Sequence, residues 1–85
     1  MTVRLARITY ERHLRVWRLR LDPDATGAGD KVGDLIGFNG NIHHPDDELK
    51  VTMLLAAWDV RPEPGGWRDE DGTWVVPVVR LSQAS

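Results

Sequence analysis

Turn-forming residues divide this chain into short segments, and this division constrains the fold more than any other feature of the sequence. Proline, glycine, asparagine and aspartate cluster at residues 22–30, 39–40, 62–66 and 69–72. The longest apolar run between them is Met53–Trp58, which is far short of the ~20 residues that cross a bilayer. The first residues do not form a signal peptide. We therefore expect a small soluble protein with short strands, many of them in hairpins, and no contact with a membrane.

The length of 85 residues predicts a single domain over 1–85. A chain this short buries only ~60–65% of the surface that its unfolded form exposes. It contains no cysteine, which removes disulfides, thiolate metal sites and cysteine nucleophiles from consideration. A reducing cytoplasm is the compartment that fits this composition.

Residues 3–21 are predicted to form two strands, because valine, isoleucine, tyrosine, tryptophan and threonine are common in them. The polar stretch 10–13 is the predicted turn. Within the second strand the apolar residues change phase after Val16. That change requires a bulge or burial on both faces, since side chains in a strand alternate strictly.

Two more hairpins are predicted further along the chain. Asn39-Gly40 favours a type I′ turn between strands at 34–38 and 41–43. Residues 69–72 are expected to be a four-residue loop between two further strands. Pro77 lies within the last of these, and because it cannot donate a hydrogen bond we expect it at a sheet edge or a bulge.

Residues 45–60 can be interpreted as a helix or as a strand. Pro45 followed by three acidic residues is typical of a helix start. The alternation of apolar residues from Leu49 to Ala57 favours a strand instead, and His44 is a poor N-cap. We favour the helix.

The predicted fold class is therefore α+β: a small twisted antiparallel sheet built from hairpins, with one helix at about 45–58 packed on it. The alternative is a small all-β barrel in which 48–61 is one long strand. Among the tryptophans, we expect Trp58 and Trp74 in the core. Trp67 lies among polar residues and is expected to be at least half exposed.

The charges are distributed unevenly along the chain. Residues 1–21 contain six arginines and one acidic residue, whereas residues 22–85 contain five basic and twelve acidic residues. The net charges are therefore +5 and −7. Such asymmetry indicates a charged partner, although the two halves can also neutralise each other within one fold.

No residue pattern indicates catalysis, and we predict that the protein is not an enzyme and needs no cofactor. The segment 43–48 contains two histidines and three acids. Its spacing does not fit a metal site, because adjacent residues of an extended chain point apart and Pro45 constrains the segment. The serines are Ser82 and Ser85, so no serine triad can be assembled.

The N-terminal strands are the segment with a functional signal. Arg18 and Arg20 share one face of their strand, and Arg4 is expected across from them. We predict a non-catalytic regulatory module, of the inhibitor or accessory-factor type, that binds an acidic surface of a partner protein. The alternative is a nucleic-acid-binding protein that uses the same arginines. The predicted partner-binding residues are Arg4, Arg15, Arg18, Arg20 and Trp67.

Overall fold

A computed structural model describes residues 4–23 and 30–81. Within them six strands and one helix follow the chain in the order βββαβββ. The strands are β1 (Arg4–Glu11), β2 (Val16–Leu21), β3 (Lys31–Leu35), β4 (Val60–Pro62), β5 (Arg68–Glu70) and β6 (Thr73–Arg80), and the helix α1 is Pro45–Ala57. Most of the predicted loop at 22–30, the start of the first strand and the last four residues lie outside the described part.

The strands form one antiparallel sheet in the order β3-β2-β1-β6-β4, and β5 also pairs with β6. Helix α1 contacts β3 and β4, which are at the two ends of this order. The sheet is therefore curled into a half-barrel around the helix. The core lies on the concave side and consists of apolar side chains from both layers, among them Ile8, Leu19, Val51, Leu55 and Val76.

The α+β class is confirmed, and the all-β alternative is wrong because residues 45–57 are helical. Pro45 occupies the first turn, and three acidic residues stand near the positive end of the helix dipole. Leu49 and Met53, which produced the strand-like alternation, are exposed on the outer side of the helix. No helix in the described residues has the length and apolar character that a membrane crossing requires.

The first hairpin forms, but its turn covers residues 12–15 instead of the predicted 10–13, so Tyr10 and Glu11 belong to β1. In this turn Leu14 N donates a hydrogen bond to Glu11 O, and Arg15 adopts a positive φ of 51°. Leu14 therefore belongs to the turn and not to β2. Consequently β2 needs no bulge: Leu19 and Leu21 face the core, with Trp17 packed against it, and Arg18 lies on the other face.

The predicted hairpin at Asn39-Gly40 is wrong. Strand β3 ends at Leu35, and residues 38–44 form an irregular loop that leads to the helix. Gly40 does adopt a positive φ of 87°. However, its backbone packs beneath Trp17, and its carbonyl oxygen accepts a hydrogen bond from Trp74 Nε1 at 3.2 Å. The positive φ of Gly40 therefore allows these tertiary contacts instead of the hairpin turn that the sequence pattern predicted.

The last hairpin is tighter than predicted. Glu70 and Thr73 are paired, so only Asp71 and Gly72 form the loop, both with positive φ as a type I′ turn requires. Pro77 does not lie on an edge strand, because β6 pairs with β1 on one side and with β4 and β5 on the other. On the other side Pro77 falls between β5, which pairs as far as Val75, and β4, which pairs from Val78. No strand there requires the hydrogen bond that Pro77 cannot donate.

The four tryptophans are all partly buried and pack against the core. Trp58 and Trp74 meet the expectation of core packing, although neither is fully buried. The prediction that Trp67 is at least half exposed is wrong. Asp69 is opposite the core-packed Trp74, so Trp67, two residues earlier and directly before β5, comes to the concave side.

Candidate functional site

The convex side of β2 and β3 carries the arginines that the sequence singled out. Arg18 is directly opposite Asp34 of β3, and Arg20 is opposite Val32. Across the other edge of β2, Arg20 is opposite Arg7 of β1. The turn at the end of this sheet adds the exposed Arg15. We call Leu14, Arg15, Arg18, Arg20, Val32, Asp34 and Ile36 the arginine face.

Part of the positive charge here is neutralised within the protein. Arg18 Nε lies 3.1 Å from Asp34 Oδ1, and Arg7 Nε lies 3.2 Å from Asp22 Oδ2. Arg15 and Arg20 have no ion pair among residues 4–23 and 30–81. Each of them is exposed. Ion pairs therefore neutralise two arginines of the N-terminal segment, whereas Arg12, Arg15 and Arg20 have none among the described residues.

Exposed apolar side chains adjoin these arginines. Val32 is 48% exposed beside Arg20, and Ile36, which directly follows β3, is 84% exposed. Leu14 is 59% exposed in the turn next to Arg15. Apolar side chains interspersed with arginine are typical of protein–protein interfaces, where arginine is enriched and lysine is depleted.

Two of the residues proposed from the sequence do not belong to this face. Arg4 is opposite Val78, a core residue, so it leaves β1 on the concave side. Its Nε donates to the carbonyl oxygen of Asp22 at 2.9 Å. Trp67 lies near the opposite edge of the sheet. The expectation that Arg4 faces Arg18 and Arg20 is therefore wrong, and the structure does not bring Trp67 together with them.

A second surface feature is a cleft of about 410 Å³ between the first half of α1 and the connection from β4 to β5. The helix contributes Glu48 and Thr52 to one wall. The connection contributes Glu63, Pro64 and other residues to the opposite wall. The full lining is Ile42, His43, Glu48, Thr52, Arg61, Pro62, Glu63, Pro64, Gly65 and Trp67.

The histidines of the segment 43–48 have separate roles. His44 is the N-cap of α1, and its Nδ1 accepts a hydrogen bond from Asp46 N at 3.2 Å. The His43 ring meets Trp74 edge to face, with 5.5 Å between the ring centroids. Among the residues described, no three of the histidine, aspartate and glutamate side chains are grouped so that they could hold a metal ion.

The acidic residue that organises this region is Asp47, which the sequence indicated only as part of a helix start. It is fully buried. Its Oδ2 accepts hydrogen bonds from Asn39 N at 3.0 Å and from Asn41 N at 3.2 Å. Asp47 therefore fixes the loop that brings Ile42 and His43 to the cleft. The capping pattern gave no signal for this contact, because it joins the helix to a loop several residues earlier.

Comparisons with protein-family models, with curated proteins and with solved structures find no match, so the function of these two surfaces is argued from their own geometry and chemistry.

Proposed function

We propose that this protein is a small non-catalytic binding module, of the inhibitor or accessory-factor type, and that its arginine face binds an acidic surface of a partner protein. The observation that carries the proposal is the setting of Arg20. This exposed arginine lies between the like-charged Arg7 on one neighbouring strand and the exposed Val32 on the other. Like charges directly opposite each other in a sheet are destabilising. Arg7 is paired with Asp22, whereas Arg20 has no ion pair among residues 4–23 and 30–81, so a carboxylate of a partner protein can neutralise it.

A protein partner suits this face better than a nucleic acid does. The exposed Leu14, Val32 and Ile36 provide apolar area that a protein surface can bury. The charged phosphates of a nucleic acid would not bury this area. The net charge of −2 also opposes a polyanion as a whole.

The non-catalytic assignment is supported by the residue types available. The chain has no cysteine, and its serines are confined to positions 82 and 85. The arginine face offers charge and apolar contact, which are sufficient for association, and Asp34, the carboxylate on this face, is paired with Arg18.

The test is capture of partners from native cell extract with the wild-type protein, with an Arg15→Glu, Arg20→Glu variant, and with Arg61→Glu as the matched control. Arg61 is also exposed and has no ion pair in the described part of the chain, but it lies on β4 at the other end of the strand order. The captured protein is then purified and titrated with all three forms. Binding that survives Arg61→Glu, is lost in the double variant and weakens mildly with salt, mainly through the association rate, supports the proposal.

Mixed-sequence DNA and RNA are titrated in parallel at low and at physiological salt. Micromolar or tighter binding at physiological salt that disappears in the double variant overturns the proposal in favour of nucleic-acid recognition. For that outcome the affinity should also fall with salt by a slope of about −0.9 per phosphate neutralised. Equal loss of the captured protein in Arg61→Glu and in the double variant also contradicts the proposal, because the contact would then not be specific to the arginine face.

A further inference from the structure

We propose that the cleft between α1 and the β4–β5 connection binds the cationic side chain of an arginine or a lysine. In this arrangement the aliphatic stem packs on Trp67 and the prolines, and the cationic group lies between Glu48 and Glu63. The cleft is at the β4 end of the sheet, away from the arginine face at the β3 end. This inference is therefore independent of the function proposed above.

The charges that line the cleft favour a cation. Glu48 and Glu63 are exposed, stand on opposite walls, and have no ion pair among residues 4–23 and 30–81. Arg61 also lines the cleft, but it is opposite Val79, whose register places both residues on the convex side of the sheet. The side chain of Arg61 therefore leaves β4 away from the helix, and it forms no ion pair with either glutamate.

The aromatic side chain in the cleft offers a suitable surface. Trp67 is partly buried against the core, so the position of its indole is fixed by packing. Tryptophan attracts cations to its ring face more strongly than the other aromatic residues do, and a guanidinium group can also stack on it.

The indole nitrogen of Trp67 is available to a ligand. Trp74 Nε1 has an acceptor within the protein. Trp67 Nε1 has no acceptor among the described residues. Every buried side-chain nitrogen or oxygen in these residues has a hydrogen bond, so Trp67 Nε1 must be accessible to solvent. A peptide carbonyl next to the bound cation can therefore accept this hydrogen bond, which adds a contact for a residue within a polypeptide.

Hydrogen bonds within the protein hold the wall opposite the helix in place. Gly66 N donates to Glu63 O at 3.0 Å, which closes a turn around Pro64, and Glu63 N donates to Pro77 O at 2.9 Å. Pro62 and Pro64 both lie in this wall and restrict its backbone. A wall that is ordered in advance lowers the entropy cost of binding.

The experiment is a titration with N-acetyl-arginine amide, followed through the indole N–H signals in nitrogen-15 NMR spectra. The Trp67 signal is assigned by its loss in Trp67→Phe. We expect this signal to shift and saturate with a dissociation constant on the order of millimolar, as a ligand of this size allows. The neutral isostere N-acetyl-citrulline amide should leave it in place. Free arginine has the same net charge as the blocked amide, because its α-ammonium offsets its carboxylate, and it lacks the acetyl carbonyl; we expect it to bind no more tightly than the blocked amide.

Glu48→Gln should weaken binding roughly two- to fivefold, the effect expected for one partly exposed ion pair. The matched control is Asp46→Asn, which removes a negative charge from the same helix turn at a residue that does not line the cleft; we expect no change. An unmoved Trp67 signal, an equal shift with the citrulline compound, or equal weakening by the two variants overturns the proposal. Tighter binding of free arginine than of the blocked amide would assign the cleft to the free amino acid instead of a polypeptide.

Discussion

The carboxylate of Asp47 and the backbone nitrogen of Asn39 are joined by a hydrogen bond of 3.0 Å between the helix and the loop that precedes it. Asp47 also accepts from Asn41 N, and its other oxygen lies 3.4 Å from Asn39 Nδ2. Between these two donors lies Gly40, whose carbonyl oxygen accepts from Trp74. The carboxylate of Asp47 thus holds the loop to the helix, and the indole of Trp74 holds the same loop to the sheet.

Replacement of Asp47 by alanine is expected to lower the free energy of unfolding by about 3 kcal/mol. The substitution removes the charged acceptor of the backbone N–H groups of Asn39 and Asn41, and a hydrogen bond to a charged group contributes about 1.5–3 kcal/mol. Asp46→Ala is the control, since it removes a similar charge from an exposed position in the same turn. Urea unfolding of both variants measures the difference. Equal losses would mean that Asp47 acts only through the helix dipole.

Replacement of Gly40 by alanine is expected to destabilise the protein more than replacement of Gly72. Both glycines have a positive φ, of 87° and 84°, so the backbone strain is similar in the two variants. A Cβ at Gly40 would lie 2.9 Å from Trp17 Cζ2, whereas a Cβ at Gly72 would have nothing within 4 Å. The clash should add about 1–3 kcal/mol to the loss in Gly40→Ala. Similar urea midpoints for both variants would show that the ring of Trp17 moves aside freely.

Local signals accounted for the helix and the first hairpin. Pro45 and the acidic residues after it indicated the helix correctly, because they act on the first helical turn itself. Asn39-Gly40 misled the prediction, since the hydrogen bonds that Asn39 donates to Asp47 and that Gly40 accepts from Trp74 outweigh the turn preference of the two residues. Distant groups supply these contacts, and one sequence does not show which groups meet.

The candidate site was also predictable from the sequence only in part. Strand alternation places Arg18 and Arg20 on one face whichever strands flank them. The register between strands was needed to identify Arg7 as the neighbour of Arg20, and the same register separates Arg4 from them. Trp67 was misplaced because its polar neighbours in sequence suggested exposure, although packing against distant core residues decides its burial.

Replacement of His44 by serine is expected to stabilise the protein by about 0.5–1 kcal/mol. His44 is the N-cap of α1 and accepts a single hydrogen bond of 3.2 Å through its ring nitrogen. Serine is among the preferred N-cap residues and satisfies the same donors with a shorter side chain. His43→Ser is the control, because His43 contacts Trp74 and does not cap the helix. A gain in thermal or urea stability confined to His44→Ser is the expected result, and a loss there would show that the imidazole contributes more than its capping bond.

Arg18→Gln and Arg20→Gln are expected to differ slightly in stability, and the difference should disappear at high salt. Arg18→Gln removes the ion pair with Asp34. The side chain of Asp34 is 48% exposed, and an exposed ion pair contributes at most about 1 kcal/mol. Arg20→Gln removes a charge that is opposite Arg7 and has no ion pair among the described residues, so it should leave the stability unchanged or raise it slightly. At 1 M salt the Debye length falls to about 3 Å, which screens both effects. Urea unfolding at low and high salt measures them, and a loss above about 2 kcal/mol for Arg20→Gln would show that this arginine serves the fold instead of a partner.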